Sequence, residues 1–361
     1  MKEVITSRQG ISMVILLMLS EAFVVSPIKS AKSDIWLAIL LGLLITCIIV
    51  LIYCRILVKF PDKNFFEILT FVFGNIIGNI IGIIYVLYCF YIGALVLSTF
   101  TLFTSIVGLE NTPKIIIASG VIILVITGIK KGLEVIGRWS EFFARIVYPI
   151  IIITVILMLT MVEVFNLTPV LANGIKPVIN GAFEVIAFPF AEIFTFLLII
   201  NTKTVKETKS IYKIFLIGLL LGGFALLITH VSAYLSLGDF AYMNSYFSVY
   251  TAVSRINIRD VIQRIEIIIA VIFIIGGFIK VTIYLLAGFY GVKNIFKLDD
   301  YKFIVTPFSI ISLIISLTTV TSIMELQKHI YYYNYLAMLM QIILPLIILI
   351  GVEIKCKISK T

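Results

Sequence analysis

The stretch AFPFAEIFTF, residues 187–196, places a proline and a glutamate inside a strongly apolar part of the chain. Pro189 lacks a backbone N–H and disrupts any helix that passes through it. Glu192 is an acid at a position where an ionised carboxylate is unfavourable. We predict an interrupted helix at Phe188–Phe190, whose freed backbone groups and nearby acid hold a small solute. The alternative is a simple proline kink with Glu192 near the membrane surface.

The composition of the chain indicates a membrane protein. Of its 361 residues, 61% are hydrophobic and 13% are charged, whereas a soluble domain has about half apolar and a quarter charged residues. Long uncharged stretches recur along the whole length, and strand-sized alternating segments do not. We therefore predict an all-α integral membrane protein that lies in the lipid bilayer. The net charge of +9 is not interpreted as a nucleic-acid footprint.

The apolar segments predict ten transmembrane helices, each near the roughly 20 residues that a bilayer requires. The N-terminal run lacks a cleavage site of small residues, so we interpret it as a retained first helix. The predicted helices cover residues 9–28, 34–58, 75–106, 113–129, 133–161, 181–200, 208–236, 262–292, 301–322 and 330–353.

Basic residues predict how these helices are oriented. Most of the 28 lysines and arginines fall in the two tails and in alternate loops, which lie on one side of the membrane in this arrangement. Because lysine and arginine are enriched in cytoplasmic loops, we expect both termini in the cytoplasm.

The two halves of the chain carry interruptions at matching positions. Predicted helix 1 is interrupted near Ser20–Glu21, and predicted helix 6 is interrupted at Phe188–Pro189. Such a pair of interruptions indicates a transporter-type site near the middle of the bilayer. We predict one membrane domain with a LeuT-like 5+5 inverted repeat, in which residues 1–161 and 162–361 form the two five-helix units.

Two further intramembrane residues are candidates for the same site. Glu21 follows Ser20 halfway along predicted helix 1; the alternative is a helix that ends early, with Glu21 near the outer surface. Lys280 lies too deep in predicted helix 8 for its stem to reach the membrane surface. Its ammonium either takes the place of a bound ion at the helix 1 interruption or forms a structural pair with Glu21. Gly276 and Gly277 allow another helix to approach closely.

Other polar and aromatic residues have simpler interpretations. Tyr91 on predicted helix 3 is expected to reach the central cavity, and His230 is expected to be a hydrogen-bonded core histidine. The run YYYNY, residues 331–335, is typical of an interfacial aromatic belt. A stripe of alternating charges on predicted helix 5 indicates a solvated face with intrahelical pairs. The stripe consists of Glu134, Arg138, Glu141 and Arg145.

The sequence offers no pattern of a catalytic or cofactor site. It contains no metal-ligand cluster, P-loop, nucleophile elbow or dinucleotide fingerprint. Its four cysteines lack a metal-binding spacing. We therefore expect a protein that is not an enzyme and that has no catalytic residue, no metal and no cofactor.

Three stretches resemble one family of membrane proteins. The resemblance covers essentially the whole chain and is to the B subunits of spore nutrient germinant receptors, the GerAB-type endospore germination permeases of the amino acid–polyamine–organocation superfamily. The stretches are GLEVIGRWSEFFARIVYPIII (132–152), LTPVLANGIKPVINGAFEVIAFPFAEIFTFLL (167–198) and RIEIIIAVIFIIGGFIKVTIYLLAGFYGVKNIF (264–296).

This resemblance implies a multi-pass protein of the spore inner membrane or cell membrane that senses a small nutrient, typically an amino acid. It also implies two partners, a germinant receptor A subunit and a lipoprotein C subunit. A stand-alone proton-coupled amino-acid transporter and an ion-releasing channel subunit are the alternatives. Carried onto this chain, the resemblance implies ligand contacts at Ser20, Glu21, Ala22, Phe188, Pro189, Phe190 and Ala191.

Overall fold

The computed structural model of the chain describes residues 4–61, 63–205, 208–256, 265–320 and 322–358. Within these ranges the regular secondary structure is helical, apart from one isolated backbone bridge between Ile5 and Val205. The α-helices are α1 Ser7–Leu19, α2 Ile35–Lys59, α3 Phe65–Val107, α4 Lys114–Lys131, α5 Leu133–Met158, α6 Lys176–Val185, α7 Thr195–Ile199, α8 Thr208–Asn244, α9 Ser248–Ser254, α10 Glu266–Ile295, α11 Lys302–Thr319, α12 Ile323–Ala337 and α13 Leu344–Ile358.

Eight helical segments in the described residues are long and apolar enough to cross a membrane. Large apolar side chains, such as Leu44, Ile76 and Ile123, are exposed on the outward faces, where a bilayer would cover them. The chain is therefore a multi-pass, all-helical membrane protein. The eight segments are Lys32–Lys59, Phe65–Val107, Leu133–Met161, Lys176–Ile199, Lys209–Asn244, Glu266–Ile295, Lys302–Thr319 and Ile323–Lys357.

Two of the ten predicted spans fall outside this group of eight. One is α1, which is apolar but short. The other is α4, whose 18 residues carry lysines at both ends. The total of ten membrane crossings stays a prediction.

The first helix is shorter than the predicted 9–28. α1 begins after Thr6, whose side chain accepts a hydrogen bond from the Gln9 backbone N–H in a capping box, and it ends at Leu19. Its 13 residues rise about 20 Å, less than the roughly 30 Å of a hydrocarbon core. Residues 20–25 are buried but do not continue the α-helix, although four of the six are apolar. Hydropathy alone therefore predicted a first helix that extends too far at its C-terminal end.

Two other predicted boundaries also differ from the structure. The predicted helix 330–353 begins earlier, at Ile323, because the Ser322 side chain caps the first turn by accepting from the Glu325 backbone N–H. A π-helical turn, Met338–Ile343, separates α12 from α13. The first three residues of the predicted helix 262–292 lie outside the described residues.

Packing of the helices brings α1 and α10 to the centre of the molecule. The most extensive contact between two helices joins α3 and α10, and α1 packs against α5, α8 and α10. α10 is buried along most of its length. The short α1 therefore ends inside protein and not in lipid, which is where non-helical backbone can be tolerated at membrane depth.

Candidate solute-binding site

The first element of the site is the segment that follows α1. Ser20 ends the helix with φ −45° and ψ −96°, and its hydroxyl donates to the Leu17 carbonyl at 2.9 Å. A 3-10 turn, Glu21–Phe23, follows. A Cβ on Gly276 of α10 would lie 2.6 Å from Ser20 Cα, so a larger residue would push α10 away. The predicted close approach of a helix at the Gly276 position is confirmed.

The second element is the segment between α6 and α7. A π-helical turn, Ile186–Phe190, and a 3-10 turn, Ala191–Phe194, replace regular α-helix here. Phe188 is extended, with φ −146° and ψ 115°, directly before Pro189. A residue before proline is driven from the α region by the proline ring, and Pro189 itself provides no N–H. The sequence thus specifies the loss of helix at this point.

Lys280 on α10 joins the two elements. Its Nζ lies 3.0 Å from Glu21 Oε2 and 2.7 Å from Glu192 Oε2. It also lies 4.7 Å from the ring centroid of Phe188, in a cation–π contact. The side chain of Lys280 is completely buried, and those of Glu21 and Glu192 are 9% and 2% exposed. We call Glu21, Glu192 and Lys280 the buried triad.

The structure decides between some of the alternatives that the sequence left open. Glu192 is buried inside the protein and paired with Lys280, as expected for a site residue. Glu21 is buried too, although α1 ends early. The pairing of Lys280 with Glu21 is observed. The role of Lys280 in place of a bound ion stays a prediction.

A polar network continues from Glu192 toward the turn between α12 and α13. The Tyr333 hydroxyl donates to Glu192 Oε1 at 2.6 Å. The Gln341 side-chain amide donates to the hydroxyls of Tyr333 and Tyr88 at 3.1 and 2.9 Å. The Tyr53 hydroxyl donates to the Gln341 carbonyl at 2.5 Å. The acid of the candidate site is thereby connected to the interruption at Met338–Ile343.

The buried triad borders a small cavity. Its volume is about 30 Å³, enough for one or two water molecules. Two of its lining residues are the acids of the triad, while Lys280 lies behind them. The remaining lining is mostly apolar. The lining residues are Glu21, Val25, Ile92, Leu95, Val96, Thr99, Phe188, Glu192, Leu326, Ile330 and Tyr333.

A larger cavity of about 450 Å³ adjoins the small one. Val25, Leu326 and Ile330 line both cavities and therefore form the partition between them. The larger cavity also has polar walls, including Lys29 and Glu184. We call it the vestibule. A shift of three apolar side chains would connect it with the central cavity.

The other predicted ligand contacts do not line the central cavity. Pro189, Phe190 and Ala191 are buried in the backbone turn beside Phe188, but they do not line the cavity. Ala22 directs its carbonyl at His230, whose Nε2 lies 2.6 Å away. Tyr91 does not line the cavity either, contrary to expectation. It is half-buried on α3, with its hydroxyl 3.4 Å from His329 Nδ1.

His230 is a hydrogen-bonded core histidine, as the sequence predicts. Besides its contact with the Ala22 carbonyl, its Nδ1 lies 2.9 Å from the Tyr242 hydroxyl. The Ser26 hydroxyl in turn lies 2.9 Å from the Tyr242 oxygen. A neutral imidazole protonated on Nε2 satisfies this whole chain of contacts. Through its contact with the Ala22 carbonyl, His230 connects the segment after α1 to α8.

Sequence reasoning missed Tyr333 and Gln341. Tyr333 belongs to the run 331–335, which was interpreted as an aromatic belt. Tyr331, Tyr332 and Tyr335 are 60%, 71% and 57% exposed, as such a belt requires, whereas Tyr333 is 5% exposed and does not fit it. Helical spacing was the available signal, because Tyr333 lies on the same helix face as the buried Leu326 and Ala337.

Comparisons with known proteins agree with this fold. The family described as "Spore germination protein" matches residues 4–324. Spore germination protein KB of Bacillus subtilis is 28% identical over 325 residues, which are 89% of this chain and 86% of that protein. Putative spore germination protein YfkT of the same organism is 26% identical over 290 residues, covering 80% of this chain and 78% of YfkT.

The fold is also shared with a transporter of known structure. Mhp1, a nucleobase-cation-symport-1 family transporter solved in a closed conformation with bromovinylhydantoin bound, superposes with a TM-score of 0.68. The match covers 94% of this chain and 78% of Mhp1 at 14% identity. It therefore supports a shared fold and nothing further. The family match over most of the chain is specific, and the chain belongs to the spore germination permease family.

Proposed function

We propose that this protein is the membrane subunit of a spore nutrient germinant receptor, and that it binds a small nutrient, such as an amino acid, at the buried triad. One observation carries the proposal. In a chain of the spore germination family, two non-helical segments meet at a small cavity that is lined by two acids. Buried ionisable groups in a membrane protein are functional candidates by default, because they are otherwise unfavourable.

The proposed architecture follows the sequence expectations. Ten transmembrane helices form two inverted five-helix repeats, residues 1–161 and 162–361, with broken helices 1 and 6 at the centre. Both termini lie in the cytoplasm, and the membrane is the spore inner membrane. The interruptions at Ser20 and Phe188 support this arrangement, since paired interruptions are typical of inverted-repeat folds.

Binding in this proposal requires the central cavity to open and enlarge. A cavity of about 30 Å³ is too small for an amino acid, so the described arrangement is a closed one. A nutrient enters from the vestibule after Val25, Leu326 and Ile330 move apart. It then selects the arrangement of the interrupted segments that accommodates it.

In the bound state, the ligand contacts the backbone of Ser20–Ala22 and Phe188–Ala191 and the side chain of Glu192. The ammonium of Lys280 stands where an ion would otherwise balance the acids, and it keeps the two interrupted segments together. The ligand changes the balance of these contacts and thereby the packing of the segments. Partner subunits, a germinant receptor A subunit and a lipoprotein C subunit, receive that change and trigger germination.

A stand-alone proton-coupled amino-acid transporter is the second candidate. The observation that favours it is the fold shared with the transporter Mhp1. A transporter would move labelled nutrient across the membrane of proteoliposomes that contain this chain alone. A receptor subunit would bind the nutrient in the same preparation without net uptake.

The test uses spores that lack this gene and spores in which it is restored. A panel of amino acids and other small nutrients is scored for germination, and the protein is quantified by immunoblot. We expect the deletion to abolish the response to at least one nutrient and the restored gene to recover it. Equal responses with and without the gene would refute the proposed function.

A further inference from the structure

The central cavity presents negative charge only. The charged side chains that line it are Glu21 and Glu192. Lys280 approaches the same acids from behind and does not line the cavity. With all three groups ionised, the buried triad carries one net negative charge in surroundings of low dielectric constant, where that charge is strongly unfavourable.

Other buried charges do not balance the triad. Among the described residues, the remaining buried acid is Asp34, whose Oδ1 accepts from the Leu171 backbone N–H at 2.9 Å. His230 has its contacts satisfied as a neutral imidazole, with Nε2 facing the Ala22 carbonyl. A cation at the cavity itself would balance the excess negative charge.

One carboxylate oxygen is free to receive such a cation. Glu21 Oε2 accepts from Lys280. Glu21 Oε1 has no hydrogen-bond donor among the residues that the structure describes, although Glu21 is 93% buried and lines the cavity. Glu192 differs, because its Oε1 already accepts from Tyr333. An acceptor of this kind suits an N–H donor that carries positive charge.

The rest of the cavity excludes bulky or strongly polar groups. Ile92, Leu95 and Val96 form one apolar wall, and Leu326 and Ile330 form the partition toward the vestibule. The ring of Phe188 also lines the cavity, and it contacts Lys280 through its face. These surroundings fit a small aliphatic group attached to the cation.

Resting on the proposed function, we infer that the ligand is recognised through a primary ammonium group that donates to Glu21 Oε1. A short aliphatic side chain fills the apolar wall. A carboxylate on the ligand is dispensable, because no unpaired cation lines the cavity among the described residues. The ligand class is thus that of small aliphatic ammonium compounds, of which zwitterionic amino acids are one case.

The test measures ligand-induced thermal stabilisation of the purified full-length protein at matched ionic strength. The cationic probes are propylammonium and isobutylammonium chloride, L-alanine and L-alaninamide. The probes without an ammonium are sodium propionate, sodium lactate and N-acetyl-L-alanine. Sodium and potassium chloride test for an inorganic cation. We expect saturable stabilisation by the ammonium compounds, with L-alanine and L-alaninamide within about threefold of each other, and none by the other probes.

Variants locate the contact. Glu21→Gln keeps the shape of the side chain and leaves Lys280 paired with Glu192, so we expect it to fold and to bind ammonium probes at least about tenfold more weakly. Glu353→Gln is the matched control, because Glu353 pairs with Arg55 and Lys59 near the C-terminus. It should bind as the unaltered protein does. If Glu21→Gln does not fold, the probe series on the unaltered protein decides.

The possible failures are distinguishable. Stabilisation by L-alanine and propionate but not by the alkylammonium salts would overturn the inference and leave the proposed function standing. Equal stabilisation by sodium or potassium chloride would also overturn it, in favour of an inorganic cation. If no nutrient in a panel of amino acids stabilises the protein, the proposed function fails together with the inference.

Discussion

Two groups of acidic and basic side chains in this molecule use the same chemistry in opposite surroundings. In the buried triad, Lys280 lies 3.0 and 2.7 Å from two carboxylates that are at most 9% exposed. On α5, Arg138 lies 2.5 Å from Glu134, with side chains that are 63% and 44% exposed. Similar distances therefore have different energetic consequences, because water screens the α5 pair and not the triad.

The comparison explains why one group is a candidate site and the other is a helix surface. The α5 pair is neutral, four residues apart on one helix, and needs no further partner. The triad joins three segments that are distant in the chain and leaves an unbalanced charge. A buried charge that is incompletely balanced favours a further ligand or proton, whereas an exposed pair does not.

Removal of Lys280 should have the largest effect. Lys280→Met leaves two buried carboxylates without their cation, and we expect it to lower the free energy of unfolding by about 3–5 kcal/mol. Thermal unfolding of the purified protein measures this. The triple variant with Glu21→Gln and Glu192→Gln should recover most of the loss, since it removes the unpaired charges as well. If Lys280→Met alone were as stable as the unaltered protein, the buried triad would not differ energetically from the exposed pairs on α5.

Glu192→Gln should impair function more than folding. Glutamine can still accept from Tyr333, and Lys280 keeps Glu21 as its partner. We expect the nutrient concentration for half-maximal germination to rise about 30-fold or more, equivalent to about 2 kcal/mol. The dose–response curve of restored spores measures this, with protein quantified in parallel. A loss of protein would assign Glu192 a structural role instead.

Tyr333→Phe should have a smaller effect on the same response. It removes one hydroxyl, which donates to Glu192 at 2.6 Å, and we expect about a fivefold shift, equivalent to about 1 kcal/mol. Tyr332→Phe is the matched control, because Tyr332 is 71% exposed. Equal shifts in the two variants would show that the polar network beyond Glu192 does not contribute.

The exposed pairs on α5 should give the smallest effect. Arg145 lies 2.9 Å from Glu141, and its side chain is 72% exposed. Arg145→Gln should change the free energy of unfolding by about 0.5 kcal/mol or less, as measured by the same thermal unfolding experiment. A loss comparable to that of Lys280→Met would show that burial does not separate the two groups.

The sequence predicted the all-helical membrane fold, and the α-helix is lost at Ser20 and around Phe188, where interruptions were expected. Transmembrane helices 1 and 6 that are broken at these points stay a prediction. Apolar runs identify membrane helices because the side chains that face lipid are apolar. Pro189 and the acid three residues later reveal the second interruption because both are unfavourable inside a regular apolar helix. The stretch Ser20–Glu21 gave a similar but weaker signal, since it contains no helix-breaking residue.

Other parts of the site could not be predicted because they depend on tertiary packing. Apolar residues lie on both sides of Ser20–Glu21, so hydropathy extended the first helix to residue 28, whereas α1 ends at Leu19. Lys280 could be assigned to the interruption, but its second partner, Glu192, follows only from how α10 packs. Tyr333 was not recognised because its neighbours in the sequence are exposed tyrosines. Tyr91, in contrast, was expected at the cavity and lies beside His329.

The central claim is that a nutrient occupies the cavity between the two interrupted segments, and binding to a protein with that cavity filled tests it most directly. Val96 lines the cavity, whereas Val271 on α10 is 38% exposed. Equilibrium binding of a nutrient panel is measured on the purified protein, on Val96→Phe and on the matched Val271→Phe, each confirmed as folded. We predict that at least one nutrient binds the unaltered protein and Val271→Phe, and that Val96→Phe binds it at least about tenfold more weakly. Equal binding by all three proteins would contradict the account.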